Sequence, residues 1–404
     1  MHMNWFSLSR PFVRLTAGAV LLCAGLLPAC GGGESAPNAG PAGLGSLRVA
    51  LTDAPACGRD SVFVTVREVR IHKSVSAAEN DPGWVVISLP APKRLDLLTL
   101  TNGALEELGQ APLETGRYTQ MRLVLAANSA AAPTANAVTL TGGAEVPLET
   151  PSAFQSGLKI NVDIDVSAQQ LADVVIDFDA CRSVVTAGRS GRFLLKPVLS
   201  VTPRYLSGVR GSVEVVAASG AAVTLQSAGQ VVKATAPDPV TGTFRLAPVA
   251  PGTYDLVLTA PSRATTVVTG VTVTANTLTD VSNAALAPPV SASGAVRGKV
   301  TILPAPAVID ATVRVQQTLL TGGPTVEVAG GAADALTGDY AFNLPTGAPV
   351  QAAFASSGAA LSFAAAASSA GIYQVRSIAA GLTKGPTQVT TTPSVPAVAD
   401  FNFP

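Results

Sequence analysis

Lys159-Ile160-Asn161-Val162-Asp163-Ile164-Asp165-Val166 alternates without a break: Ile160, Val162, Ile164 and Val166 fall on one side, Lys159, Asn161, Asp163 and Asp165 on the other. Successive side chains of a strand point to opposite faces, so this stretch predicts a strand with one face in a core and one in water. The same reading extends outward. Val62, Val64 and Val66 alternate with Phe63, Thr65 and Arg67; residues 46–52 run as a strand into a turn at Asp53-Ala54-Pro55; and residues 174–178 form a strand ending in an acidic turn. Val, Thr, Ala, Gly and Pro dominate the 404 residues, of which 48% are hydrophobic and only 13% charged. Short alternating runs separated by Gly or Pro predict an all-β chain of sandwiches or barrels. Two segments resist this reading. Around Leu105 to Leu108, between Asn102-Gly103 and Gly109, a short helix fits the pattern, and the Ala- and Ser-rich stretch 351–380 suits strand and helix equally.

The β-rich part divides into three modules, 46–205, 207–287 and 294–404, after an N-terminal leader. The second opens with Gly208-Val209-Arg210-Gly211-Ser212-Val213 and reaches Thr241-Gly242-Thr243-Phe244; the third opens with Gly294-Ala295-Val296-Arg297-Gly298-Lys299-Val300 and reaches Thr337-Gly338-Asp339-Tyr340. In both, Thr-Gly-x-aromatic predicts a tight turn that sends a ring into the core. Gly211 and Gly242 are 31 positions apart, whereas Gly298 and Gly338 are 40 apart, which predicts extra loop length around Leu320 to Ala335. Pro251-Gly252 suits a type II turn, loosened in the third module to Pro345-Thr346-Gly347. Ala287-Pro288-Pro289-Val290 predicts a stiff spacer between the two copies.

The N-terminus addresses location. Arg10 and Arg14 precede an apolar stretch from Leu15 to Leu27 that is too short to span a bilayer comfortably, and Leu26-Leu27-Pro28-Ala29-Cys30 closes it. This resembles a bacterial lipobox, which implies a signal peptide over residues 1–29 and a lipidated Cys30 at the mature N-terminus. Gly31 after the cysteine resembles the pattern sent on to the outer membrane. Residues 30–45, rich in Gly, Ala and Pro, predict a flexible tether. Two or more acyl chains anchor stably where one holds only marginally. The mature chain carries 24 basic and 26 acidic residues, a net charge of −2, and suggests no nucleic-acid partner.

The strings LTDAP (Leu51 to Pro55), TGRYTQMRLVL (Thr115 to Leu125), SGLKI (Ser156 to Ile160), VVIDFDACRSVV (Val174 to Val185) and FLLKPVL (Phe193 to Leu199) resemble domain-of-unknown-function family 4382. That resemblance implies a bacterial envelope lipoprotein and carries no activity. The second and third modules resemble carboxypeptidase regulatory-like, or collagen-binding-protein B-repeat-like, modules, which implies two prealbumin-like (Ig-like) sandwiches after a β-sandwich-like first domain.

Candidate sites are few. With Cys23 removed in the leader and Cys30 lipidated, an exported chain predicts a Cys57–Cys181 disulfide, stabilising by roughly 4–5 kcal/mol in the chain-entropy model. Such a bond draws Asp53 toward Asp177 and Asp179, which share a strand face, and three carboxylates suit calcium. The simpler reading has Asp53 and Asp179 accepting backbone N–H groups, with Arg182, Arg59 or Lys196 neutralising the rest. The B-repeat resemblance implies a further candidate, a Lys299–Asn402 isopeptide bond beside Glu327. The mature chain has one histidine, His72, and no nucleophile elbow, zinc helix, phosphate loop or dinucleotide fingerprint. The expectation is a noncatalytic envelope protein, without cofactor, that binds an unidentified protein or glycan at the cell surface. Alternatives are a periplasm-facing structural or assembly factor and, third, a polysaccharide-acting enzyme using two carboxylates.

Overall fold

The structure, a computed structural model, describes residues 43–53, 58–150, 156–188, 190–306, 308–319, 323–356 and 359–404. The leader, Cys30, Cys57 and nearly all of the tether lie outside the described residues. Residues 42–404 form one compact unit built almost wholly of strands.

The first module holds β1 (Leu44–Asp53), β2 (Arg59–His72), β3 (Val85–Asp96), β4 (Glu106–Glu114), β5 (Gly116–Leu125), β6 (Ala137–Leu140), β7 (Glu145–Glu149) and β8 (Leu158–Val166). It continues through β9 (Leu171–Phe178), the one-turn helix α1 (Ala180–Ser183), β10 (Val184–Thr186), β11 (Phe193–Leu195) and β12 (Leu199–Pro203). One sheet has the order β12-β9-β1-β4; the other runs β10-β11-β7-β6-β2-β5-β8, with β3 also paired to β2. Their apolar faces enclose Leu47, Leu51, Val64, Met121, Ile160 and Phe178 in one core. β8 buries Ile160, Ile164 and Val166 and exposes Lys159, Asn161, Asp163 and Asp165, the alternation read from its sequence. The helix expected near Leu105–Leu108 is instead the start of β4, which pairs with β1 and buries Leu108 against the same core. Pairing to a sheet edge outweighs the weak local preference of a short segment.

The second module comprises β13 (Gly208–Ser212), the turn-like helix α2 (Val215–Ala218), β14 (Ala222–Ser227), β15 (Gln230–Thr235), β16 (Thr243–Leu246), β17 (Gly252–Thr259), β18 (Thr266–Val273) and β19 (Leu278–Asp280). The third comprises β20 (Ser293–Ile302), β21 (Ala311–Thr318), β22 (Thr325–Ala332), β23 (Asp339–Pro345), β24 (Val350–Ala353), β25 (Ala364–Ala365), β26 (Ile372–Ala379), β27 (Leu382–Thr390), β28 (Ala397–Val398) and β29 (Phe401–Phe403). The internal repeat holds down to single hydrogen bonds. Asp238 Oδ1 accepts from the N–H groups of Val240 and Thr241, and Asp334 Oδ1 accepts from those of Leu336 and Thr337. Gly242 then lies at φ +71° with its carbonyl accepting from Val213 N, and Gly338 at φ +74° with its carbonyl accepting from Val300 N. A Cβ on Gly242 would meet Val213 O at 2.0 Å, and one on Gly338 would meet Val300 O at 2.1 Å. Gly242→Ala or Gly338→Ala should therefore cost about 2 kcal/mol or more, combining left-handed backbone strain with a backbone clash. Urea denaturation checks this; unchanged midpoints would refute the shared turn.

The extra length of the third module is only partly loop. β21 and β22 have eight residues each where β14 and β15 have six, and β22 occupies much of the stretch expected as loop. The modules are also less separate than their sequence punctuation. β24, from the stretch 351–380, leaves its own module and pairs parallel to β18, extending the second module's sheet to β15-β14-β17-β18-β24-β25. Phe354, Leu361 and Phe363 pack on the second module's core. The segment 287–290 is no free spacer: Pro289 O accepts from Ala264 N at 2.8 Å, and Arg263 Nη1 donates to Pro288 O at 3.3 Å.

Candidate functional site at the three-module junction

The carboxylates expected from the sequence lie near the place where all three modules meet. β1 ends at Asp53, whose Oδ1 accepts from Ala180 N at 2.8 Å. Asp179 caps α1 by accepting from Arg182 N at 2.9 Å, and the Arg182 guanidinium approaches its other oxygen to 3.9 Å. Asp177, two residues back along β9, reaches out of the first module to Lys233 Nζ on β15, 2.5 Å away. The three side chains thus have separate engagements. Among the described residues no group of three or more His, Cys, Asp or Glu side chains is placed to hold a metal ion. This corrects the candidate calcium site on Asp53, Asp177 and Asp179: strand parity sets Asp177 and Asp179 on one face, but a cation from another module takes one and a helix start the other. Arg59 and Lys196, the other expected counter-charges, also point elsewhere. Arg59 donates to Val184 O, and Lys196 donates to Ile309 O and pairs with Asp310 at 3.5 Å.

Glu327 enters the junction from β22. Its backbone N–H donates to Gln226 Oε1 at 2.8 Å and its carbonyl accepts from Gln226 Nε2 at 2.7 Å, so one amide side chain of β14 satisfies both groups on the free edge of β22. The Glu327 carboxylate is buried 3.5 Å from Arg314. Lys299 and Asn402 are exposed on the neighbouring strands β20 and β29, in a different sheet from Glu327. The candidate isopeptide group is therefore not assembled, and Glu327 serves the contact between the second and third modules.

Burial sets the electrostatics. It raises the Asp179 carboxyl from its ordinary value to about 6, against the opposing pull of the Arg182 N–H and guanidinium. It raises Glu327 as well, opposed by Arg314 and Arg182. Around these groups lies a cavity of about 220 Å³ lined by Asp179, Cys181, Arg182, Thr224 and Glu327, with Ala234, Val328 and Gly330 among its small or apolar walls.

Further contacts lock the modules. Asn102, at φ +56°, accepts on its side-chain oxygen from Thr235 Oγ1 and Arg245 N, and its own N–H donates to Thr235 Oγ1. Asp334, the repeat's turn aspartate, uses its second oxygen to accept from Thr186 Oγ1 at 3.0 Å and Gly188 N at 2.8 Å of the first module. An apolar contact of Val257, Val267, Leu319, Val326 and Ala366 joins the second and third modules. His72 is structural: Nδ1 accepts from Ser74 N, Nε2 lies 2.9 Å from Pro82 O, and the ring packs on Trp84. Lys233, Gln226, Asn102 and Arg314 do not stand out in the sequence as junction residues. Lys233 does leave a signal, a cation inside the run Val231-Val232-Lys233-Ala234-Thr235 that breaks polar alternation.

These features define an all-β, three-module protein whose ionisable residues at the junction serve mainly to join modules. Residues 44–197, the first module, match the model of the family described as Domain of unknown function (DUF4382). No curated protein matches the chain. Among solved structures, the Bacillus anthracis TIE protein is 12% identical, covers 89% of this chain with 50% of its own length, and has a TM-score of 0.16. The chain thus spans half the length of that protein. A streptococcal ancillary pilin is 11% identical, with 89% of this chain and 99% of that one covered and a TM-score of 0.14. The Corynebacterium diphtheriae major pilin SpaA is 10% identical, with the same two coverages and a TM-score of 0.17. Overlaps this slight bear neither on function nor on the arrangement of the modules.

Proposed function

We propose that the protein is a noncatalytic cell-envelope lipoprotein, anchored in the outer membrane through lipid on Cys30, that presents three interlocked modules as one binding or adhesion body. The observation that carries this reading is the interlocking itself. A strand that the third module adds to the second module's sheet, a largely buried Lys233–Asp177 pair and the Asp334 anchor hold a surface in fixed geometry, which suits recognition or spacing more than a moving catalytic cleft. The junction carboxylates are engaged by backbone N–H groups and cations, so they are not free to act as an acid and base pair on a glycan.

Cys30→Ala should release the protein from the membrane fraction; continued retention would contradict lipid anchoring. Protease treatment of intact cells, with detection of the third module, tests orientation: digestion supports surface binding, and protection until lysis makes the periplasmic structural or assembly role the better reading. The Cys57–Cys181 disulfide belongs to the same proposal. The pairing is supported by the Asp53–Ala180 hydrogen bond beside Cys181, with Cys57 four positions after Asp53 in the sequence. Cys57→Ser should lower stability by about 2–5 kcal/mol and abolish the mobility shift between reduced and nonreduced protein. An identical shift in the variant would refute the pairing.

A further inference from the structure

Asp179 and Glu327 at the junction each have an arginine, Arg182 at 3.9 Å and Arg314 at 3.5 Å. The next arginine along the sheet has no such partner. β26 sets Arg376 directly opposite Arg314 of β21, and among the described residues the Arg376 side chain makes neither an ion pair nor a hydrogen bond. Like charges placed opposite each other destabilise a sheet, so this pair works against the fold. Val313, Val315, Tyr373 and Val375 fill the third module's core, and strand alternation turns Arg314, Gln316, Gln374 and Arg376 to the other face. Arg376 is half-buried there; its Nε is closed off, whereas the two outer nitrogens of the guanidinium are not. Glycines border the row. Gly330 pairs with Arg314 on one side, and on the other a bulge sets Gly385 and Pro386 against Arg376, where a Cβ on Gly385 would meet the Arg376 Cα at 3.2 Å.

The internal repeat gives the comparison. In the second module Thr224 and Val257 hold the positions of Arg314 and Arg376, since β14 pairs with β17 as β21 pairs with β26. Val257 is 1% exposed and packs with Val267, Leu319, Val326 and Ala366 where the second and third modules meet. The third module carries two cations at the places where its sister makes this contact, and Gln374, Arg376 and Gln388 stay partly or wholly open to water.

We propose that this face binds an acidic oligosaccharide, with a uronate carboxylate forked on Arg376 and ring hydroxyls along Gln374 and Gln388. A guanidinium offers parallel N–H donors to a carboxylate, and an anion held there offsets the repulsion between the facing arginines. Side-chain amides both donate and accept, as sugar hydroxyls do. Protein partners are gripped mainly by aromatic anchors in well-packed pockets, and the outward positions of β21, β26 and β27 carry no aromatic ring. This site gives a ligand class to the binding role proposed above and rests on that reading.

The test is ligand-observed NMR with the full chain and four probes, a galacturonate trimer, its methyl ester, maltotriose and a glutamate tripeptide, each at millimolar concentration. The acid trimer should bind about tenfold more tightly than the other three. Arg376→Gln should bring the acid trimer down to the level of its ester, while Gln374→Ala should weaken acid and ester alike, by about tenfold. The melting midpoint of Arg376→Gln should be unchanged or higher, because no carboxylate loses a partner; a lower midpoint would assign Arg376 to the fold and overturn the proposal. Silence from every probe, equal binding of acid and ester, an acid preference that survives Arg376→Gln, or a peptide that binds as tightly as the acid trimer would each overturn it as well. A protein that is membrane-anchored and open to protease on intact cells, yet ignores all four probes, would remove this site and leave the binding role standing.

Discussion

Lys233→Ala is expected to destabilise the protein by about 3 kcal/mol, among the largest effects of any side-chain truncation outside the apolar cores. The Lys233 side chain is 6% exposed and Asp177 17% exposed, with 2.5 Å between charged atoms. Truncating the lysine strands a carboxylate that water reaches poorly and whose second oxygen already lacks a hydrogen bond among the described residues. The cost comes from the charge left behind, so Lys233→Met combined with Asp177→Asn should recover most of it. Because β15 and β9 belong to different modules, the single variant should also loosen the first module from the second, read as faster hydrogen exchange at the ends of both strands. A loss below about 1 kcal/mol would mean that the pair behaves as an ordinary surface contact.

Asp179→Asn is expected to stabilise the protein at neutral pH by about 2–3 kcal/mol. The folded state holds the Asp179 proton more tightly than the unfolded chain, since the folded value is raised from 3.8 to about 6. The contribution of Asp179 to stability is therefore complete below pH about 4, falls as pH rises from about 4 to about 6, and is lost above. Each tenfold difference in proton affinity between folded and unfolded chain is worth roughly 1.4 kcal/mol, less the screening of a side chain one-fifth exposed. Asparagine still accepts the Arg182 N–H and caps α1, so the variant removes the charge and keeps the cap. Glu327, also raised by burial, adds loss of the same sign. Asp163, Asp238 and Asp280, held below their ordinary range by Arg117, by the Thr241 and Val240 N–H groups and by Arg210, contribute stability that disappears as pH falls through their lowered values. The diagnostic is thus the difference between parent and variant midpoints across pH 4–7. A difference independent of pH would show that Asp179 titrates as in the unfolded chain.

The strands with one wet face were legible because period-two alternation survives wherever one face meets a core and the other meets water. β8 and β2 follow it closely, and the turn pair Thr241-Gly242 and Thr337-Gly338 was legible because a left-handed residue pressed against a backbone oxygen admits only glycine. What could not be read is what happens between modules. β24 carries only Val350-Gln351-Ala352-Ala353, a string with no period long enough to favour strand over helix, and its partner β18 lies some 80 positions upstream. The charges show the same limit. Asp177 stands out in the sequence for its parity with Asp179, yet its partner Lys233 lies 56 positions away, and no local pattern links them. Pro288-Pro289 reads as a spacer locally, but its carbonyls are taken by Arg263 and Ala264, so a segment built for reach became part of a wall.

The central claim, that three sequence modules form one interlocked body, is tested most directly by scanning calorimetry of the purified full chain. The account predicts a single cooperative transition whose calorimetric and van't Hoff enthalpies agree, moved to lower temperature as a whole by Lys233→Ala. Two or three resolved transitions, with the first module melting independently of the others, would contradict it.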